Sequence, residues 1–421
     1  MTSRERVLAA IDHREPDRVP LDIGATPVSG ISVSTLSKLR LALGLDQPGD
    51  RVRVIEPYQM LGEVTDDLRE VLGIDTVGIG GRDTLFGYPV EDWKPWDMPD
   101  GTPVLVPGGF NTEPEPNGDL LQYPGGDHSA PASGRMPAGG FYFDSIIRQE
   151  PIDDARLDPE DNLEEFQPIT DDELARYSGL AADLDASDRA VVANFGGTGF
   201  GDIALVPAPF LKYPKGIRDV AEWYISTAAR RDYVKTVFAK QCEIALRNLE
   251  RIAGVVGDAV QIAMVTGTDF GTQRGPFASV ESYRDLFKPF HRAVNDWIHA
   301  NTGWRTFIHS CGGIRPLLDD FIEAGFDILN PVQCSADGME ARGLKSDFGD
   351  RVTFWGGGVD TQRTLPFGTP EEVRAEVLER LEVFAPGGGF VFNTIHNIQP
   401  NTPVPNLLAM FDAIREFSAA H

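Results

Sequence analysis

Short apolar runs alternate with longer amphipathic stretches along most of the chain. Runs such as 190–195, 259–264 and 390–393 are typical of buried strands. The stretches between them carry apolar residues at helical spacing. Together with two early runs, the pattern predicts eight strands, which are centred near residues 19, 76, 191, 261, 306, 328, 353 and 391.

Regular alternation of strands and helices favours right-handed βαβ units on a parallel sheet. Eight such strands are the number that closes a (β/α)8 TIM barrel, so we expect a single barrel domain over residues 1–421. An open, doubly wound sheet is the second interpretation. It would place a ligand at one switch point, whereas a barrel gathers residues from the ends of nearly all strands.

Residues 83–165 interrupt this rhythm. They are rich in Pro, Gly and Asp, and they also contain aromatic residues such as Trp96 and Phe143, which need a buried environment. The segment is too long for a bare loop inside a compact domain. We therefore predict an insertion with hairpins that covers one end of the barrel.

Chemically capable side chains cluster directly after the predicted strands. In a barrel these positions share one face, where active sites lie. This convergence indicates a site more strongly than any single motif does. The candidates, in chain order from the fourth strand to the eighth, are Asp269, Gln273, His309, Cys311, Gln333, Cys334, Gln362, His396 and Asn397.

His309 and Cys311 follow the fifth predicted strand with one residue between them. Imidazole and thiolate are ligands that suit zinc, and a strand end can direct both into one pocket. His396 is the first candidate for the third ligand, and Cys334 is the second. Three protein ligands would leave one position open for chemistry, whereas a closed structural site would need a fourth ligand, which Cys334 could supply.

Composition narrows the class of protein. The 421 residues carry a formal net charge of −26, which argues against nucleic acid or an anionic membrane as a partner. Three cysteines do not make a disulfide framework. No run reaches the roughly 18 apolar residues that span a bilayer, and the start lacks a signal-peptide core. We expect a soluble, cytoplasmic protein, and a homodimer is left open.

With these residues placed, the chain resembles the uroporphyrinogen decarboxylase superfamily, and within it the zinc-dependent corrinoid and coenzyme M methyltransferases. The resemblance covers residues 1–80 and 170–420. It rests on the opening segments 2–7 and 16–20, on 271–276, His309-x-Cys311, 327–333, 360–362 and 396–400.

The resemblance implies a (β/α)8 barrel, a zinc ion and methyl transfer that involves a corrinoid on a separate protein. The methyltransferase branch has His-x-Cys and a later Cys as metal ligands. In this chain the later position falls on His396, which makes the site less negative by one charge. The Arg-rich segment with which true decarboxylases grip a tetrapyrrole is absent from residues 18–30, so we do not expect porphyrinogen decarboxylation.

The leading hypothesis is a zinc-dependent methyl or alkyl transferase, or demethylase, that acts on a small molecule. In it, Asp269 orients or protonates a substrate group. Polar substrate atoms would be fixed by four amides, which are Gln273, Gln333, Gln362 and Asn397. Two alternatives stay open: a metal-dependent lyase or decarboxylase of a small acid, and a barrel whose metal is structural only.

Overall fold

The computed structural model describes residues 1–420, so His421 at the end of the predicted domain lies outside the described residues. The helices are α1 (Ser3–Ile11), α2 (Val33–Ala42), α3 (Asp66–Leu72), α4 (Asp171–Asp185), α5 (Val220–Ala229), α6 (Arg231–Val256), α7 (Val280–Leu286), α8 (Lys288–Asn301), α9 (Leu318–Glu323), α10 (Ala341–Phe348), α11 (Thr364–Phe367), α12 (Pro370–Phe384) and α13 (Val404–Ala420). The strands are β1 (Val52–Glu56), β2 (Leu61–Gly62), β3 (Thr76–Ile79), β4 (Lys94–Asp97), β5 (Pro103–Val106), β6 (Leu120–Gln122), β7 (Gly134–Met136), β8 (Asp144–Ser145), β9 (Ala190–Ala193), β10 (Ile262–Thr266), β11 (Gly271–Thr272), β12 (Gly275–Pro276), β13 (Arg305–His309), β14 (Ile328–Asn330), β15 (Thr353–Trp355) and β16 (Phe390–Val391).

The central sheet is parallel and follows the chain order. Within residues 1–420 it contains seven strands in the order β16-β15-β14-β13-β10-β9-β3. These correspond to the last seven of the eight predicted strands. Their inward side chains, among them Val192, Met264, Phe307 and Trp355, form a buried apolar cluster. The strands are mostly apolar because parallel strands of this kind are covered on both faces.

The sheet closes through the eighth predicted segment, near residue 19. Leu21 forms a parallel bridge with Phe392 beyond β16, and its carbonyl accepts the N–H of Asp75 next to β3 at 2.8 Å. Pairing here is limited to one bridge because Pro20 has no N–H to donate. The predicted (β/α)8 barrel is therefore confirmed, and the open doubly wound sheet is excluded.

Helix α1 closes the amino-terminal end of the barrel. Its N-terminus carries a capping box, in which Thr2 accepts the Glu5 N–H. Val7, Ala10 and Ile11 are buried in the same apolar cluster as the inward side chains of the strands. The opposite, carboxyl-terminal end is therefore the one left for a site.

The insertion over residues 83–165 contains hairpins, as its turn-rich sequence predicts. Strands β4 and β5 form an antiparallel pair that extends the sheet β2-β1-β5-β4, and β6-β7-β8 form a second small sheet. Phe143 is buried between Phe86 and Phe110, with ring centroids 5.7 and 6.0 Å away. The guanidinium of Arg148 donates to the Ala208 carbonyl at 2.7 Å, which links the insertion to the loop after β9.

None of the helices in residues 1–420 combines the length and the apolar character needed to cross a bilayer.

Candidate metal centre

Three potential metal ligands converge at the open end of the barrel. His309 ends β13, Cys311 follows two residues later, and His396 lies in the loop after β16. Their ligand atoms all lie within 4.8 Å of one another. The Sγ atom of Cys311 is 3.5 Å from Nε2 of His309. The ends of parallel strands meet at one rim, and this brings together side chains that are far apart in sequence.

Asn330 determines which ring nitrogen of His309 carries the proton. The Asn330 amide nitrogen donates to the Trp355 carbonyl at 2.8 Å, so its Oδ1 faces Nδ1 of His309 at 2.5 Å. An amide oxygen can only accept, and His309 must therefore carry its proton on Nδ1. The lone pair of Nε2 then points toward Cys311, which is the orientation a metal ligand needs.

Asp269 supports the same group from the loop after β10. Its Oδ1 accepts the backbone N–H of Cys311 at 2.7 Å and lies 3.8 Å from Nε2 of His309. The carboxylate thereby holds the backbone that carries the thiol. It also places a negative charge beside the three ligand atoms.

Burial favours the uncharged forms of Cys311 and His396. It raises the pKa of the Cys311 thiol well above its usual range, and the Asp269 carboxylate adds to this. Burial also lowers the pKa of His396 to about 4, with His309 acting in the same direction and Asp269 opposing. A divalent cation would reverse this balance at Cys311, because metals deprotonate the thiols that bind them. Two imidazoles and one thiol are a donor set that fits zinc.

Cys334 does not join this group. The three residues brought together are His309, Cys311 and His396, and the charged side chains that act on Cys334 are Arg380, Glu376 and Asp360. Burial raises the pKa of Cys334 to about 12. Within residues 1–420 the fourth ligand of a closed structural site is thus not supplied by Cys334.

Two of the four amides expected to bind substrate are occupied inside the protein. Oε1 of Gln333 accepts the Gly312 N–H at 2.8 Å. Asn397 is buried, accepts the Gly30 N–H at 2.6 Å and donates to Pro27 and Gln59. Both side chains therefore hold loops of the site in place.

Gln273 and Gln362 lie close together on the carboxyl-terminal side of the barrel, in loops after β11 and β15. Nε2 of Gln273 is 3.5 Å from Oε1 of Gln362. Both are exposed and line a cavity of about 490 Å³ together with Arg274, Ser335, Asp337 and Arg363. They are the two predicted amides that remain accessible to a substrate.

Three further residues lie at or near the site but are not among the residues predicted from the sequence. Asn330 ends β14, and its position at a strand end was the available signal. Asp202 lies in the long loop after β9, and Tyr224 lies in α5. Burial raises the pKa of Asp202 to about 6 and that of Tyr224 to about 12, and Asp269 contributes to both shifts. Neither residue follows a strand closely, so strand-end position could not identify them.

Comparison with known proteins matches the half of the chain that carries this site. The family model described as uroporphyrinogen decarboxylase (URO-D) matches residues 211–417. The methylcobamide:CoM methyltransferase MtaA of Methanosarcina barkeri is 30% identical over 163 residues, which are 37% of this chain and 44% of that protein. A uroporphyrinogen decarboxylase of Methylococcus capsulatus is 26% identical over 222 residues, which are 51% of this chain and 61% of that protein. The chain thus aligns with less than two thirds of the length of these curated relatives.

A solved structure extends the likeness to the whole fold. A methyltransferase from Methanosarcina mazei superposes with a TM-score of 0.57 and covers 99% of both chains. The sequence identity is 17%, so this likeness concerns the fold alone.

Proposed function

Because the chain belongs to the uroporphyrinogen decarboxylase superfamily, whose matched relatives are enzymes, we propose that it is a zinc-dependent methyltransferase. It would transfer a methyl or alkyl group to or from a small molecule, which includes demethylation. His309, Cys311 and His396 are the proposed metal ligands. The convergence of their ligand atoms at the open end of the barrel is the observation that carries the proposal.

Each residue of the group has a separate task in this proposal. A zinc ion held there would lower the pKa of a thiol or other nucleophile that coordinates it. Asn330 keeps Nε2 of His309 available, and Asp269 holds the backbone of Cys311. Gln273 and Gln362 face polar atoms of the substrate from the mouth of the cavity.

A corrinoid on a separate protein is the proposed carrier of the methyl group. The name of the Methanosarcina barkeri relative includes methylcobamide, which supports this assignment. The proposed location of the protein is the cytoplasm. A purely structural metal is disfavoured, because Cys334 lies outside the group of three ligands.

Metal content is the first test. We expect one zinc per chain in purified protein, and its loss in H309A, C311S and H396A, because each variant removes one of three ligands. C334S and C242S are matched controls that change cysteines outside the group and should retain the metal. Stoichiometric zinc in C311S, or none in the wild type, would contradict the proposal.

Methyl transfer is the second test. The zinc-loaded protein should catalyse exchange of the methyl group between methylcobalamin and 2-mercaptoethanol. The change in corrinoid absorbance measures this reaction. C311S should lose this activity and C334S should keep it. A zinc-loaded wild type that performs no such exchange, while releasing carbon dioxide from small carboxylic acids, would instead identify a lyase.

A further inference from the structure

Asp202 and Tyr224 form a second polar group near Asp269, and the two side chains have few partners among residues 1–420. Oδ1 of Asp202 accepts the N–H of Ala204 at 3.0 Å, and within residues 1–420 Oδ2 has no donor of its own. The hydroxyl of Tyr224 is buried and has no hydrogen-bond partner among the described residues. Asp202 is half-buried, so its Oδ2 remains available to a ligand. The buried hydroxyl of Tyr224 is costly to leave unsatisfied unless a ligand pairs with it.

Asp202 and Tyr224 both lie near Asp269. A Cβ atom added at Gly267 would lie 3.2 Å from Oδ2 of Asp202, so this oxygen faces the loop that leads from β10 to Asp269. The charge of Asp269 acts on Asp202 and on Tyr224 alike. Because Gly267 has no side chain, no Cβ atom crowds Oδ2 on this side.

Asp202 has fewer partners than three other enclosed carboxylates of the chain. Asp75 and Asp320 are each paired with two basic side chains. Asp22 accepts three hydrogen bonds from neighbouring groups. Asp202 has one backbone donor and, among residues 1–420, no Lys or Arg partner. A positive or proton-donating group from outside would complete its environment.

Aromatic rings line the same place. Tyr224 stacks on Phe277 with ring centroids 5.0 Å apart and an angle of 25° between the planes. Phe277 is 49% exposed, so the pair forms an accessible aromatic wall. A carboxylate next to aromatic rings suits a small organic cation, which gains both an ion pair and a cation–π contact.

We propose that Asp202 and Tyr224 form a specificity subsite for an ammonium group of the small-molecule substrate. This inference rests on the proposed function, because it places the subsite next to the metal-bound nucleophile. The ammonium donates hydrogen bonds to Oδ2 of Asp202 and to the Tyr224 hydroxyl oxygen. A substrate with a carboxylate at this position is repelled by Asp202 and Asp269 together.

Small thiols that differ in charge test the subsite. The cobalt(II)-substituted protein is titrated with cysteamine, 3-aminopropanethiol, 2-mercaptoethanol, mercaptoacetate and 3-mercaptopropionate, and the thiolate-to-cobalt absorption gives each dissociation constant. We expect the better aminothiol to bind about tenfold more tightly than the better anionic thiol, since charge-assisted hydrogen bonds are strong. D202N should abolish this preference, and Y224F should reduce it. The control D412N replaces an exposed aspartate on α13 and should leave the preference for the aminothiol unchanged.

Several results would overturn the subsite. One is an unchanged preference in D202N with the cobalt–thiolate absorption intact. Another is tighter binding of the neutral or anionic thiols by the wild type, which would indicate a hydroxyl or carboxylate substrate. Failure of the wild type to bind cobalt, or to show thiolate absorption, would instead refute the proposed function.

A measurement on the metal-free protein distinguishes failure of the subsite from failure of the proposed function. Ethylammonium chloride should raise the melting temperature of the metal-free wild type above its value in sodium chloride of equal ionic strength, because the cation binds the folded state. D202N should show no such difference. Equal melting temperatures of the wild type in the two salts would contradict the subsite irrespective of any metal.

Discussion

At the scale of single residues, the candidate metal centre depends on Asn330 as well as on its ligands. This amide orients His309 through a hydrogen bond to Nδ1, and it is itself oriented by the Trp355 carbonyl. Such outer contacts commonly decide ligand orientation and basicity. Removing the amide oxygen would let the ring rotate or carry its proton on Nε2.

Replacement of Asn330 is therefore expected to weaken zinc binding. N330A should lower the affinity by about 10- to 100-fold, measured by competition with a chromophoric chelator. N330D keeps an oxygen that accepts from Nδ1 and should retain more affinity than N330A. An unchanged zinc affinity in N330A would show that His309 is oriented by other contacts.

Asp202 offers a second prediction at this scale, which concerns stability and pH. Its pKa is about 6 in the folded protein and 3.8 when unperturbed, so the folded state binds the proton more tightly. The carboxyl therefore costs stability as pH rises through this interval, and the cost is constant above about pH 6. For metal-free D202N we expect about 1–3 kcal/mol more stability than the wild type at pH 7.

Urea unfolding at pH 7 and near pH 4 measures this difference. The gap between D202N and the wild type should close as pH falls, because both side chains are then neutral. D412N should show no comparable gain at pH 7. A D202N variant less stable than the wild type at pH 7 would indicate that the carboxylate has a stabilising partner.

At the scale of elements, the closure of the barrel depends on one carboxylate. Asp75 precedes β3, is fully buried and pairs with Arg6 at 2.7 Å and Arg18 at 2.8 Å. Its Oδ2 also accepts the N–H of Leu21 at 2.9 Å, the residue that bridges to Phe392. The carboxylate thus compensates for the short ladder at the closing segment.

Loss of the Asp75 carboxylate should destabilise the fold strongly. D75A leaves two guanidinium groups and one N–H without their partner, and we expect a loss of about 3–5 kcal/mol in unfolding free energy. Urea unfolding measures it. D66A removes an aspartate that is mostly exposed, and its cost should stay below about 1 kcal/mol. Similar losses in both variants would contradict the role given to Asp75.

The insertion is joined to the loop that carries Asp202. The guanidinium of Arg148 donates to the carbonyls of Ala208 and Leu211 at 2.7 and 2.6 Å. R148A should accelerate amide hydrogen exchange in residues 199–217 and cost about 1–3 kcal/mol, because charge-assisted hydrogen bonds are lost. The exposed Arg156 provides the control R156A, which should not change exchange in this loop. Unaltered amide hydrogen exchange in R148A would show that contacts other than those of Arg148 hold the loop in place.

At the scale of the whole molecule, the candidate metal centre joins the ends of two separate barrel strands, β13 and β16. A metal bound there favours the folded state over the unfolded chain. Zinc at 100 times its dissociation constant should stabilise the wild type by about 2.7 kcal/mol, measured by thermal or urea unfolding. C311S should gain little, and C334S should gain as much as the wild type. Equal zinc effects in C311S and the wild type would refute the site.

Much of the architecture could be predicted from the sequence, because strands and helices have local periodic patterns. The alternation indicated the barrel, and the strand-end positions of His309, Cys311 and His396 indicated one rim. Strand β1 was missed, since its alternating charged and apolar residues lie in a region without βα rhythm.

The sequence by itself thus determined the barrel and the face on which chemistry can occur. The tertiary structure decided which candidates meet there: it separated Cys334 from the three candidate ligands, and it occupied Gln333 and Asn397 with internal hydrogen bonds. It also brought Asp202 and Tyr224 next to Asp269. The physical reason is that periodicity encodes which face a residue lies on, whereas the distances between side chains of different loops depend on how those loops pack.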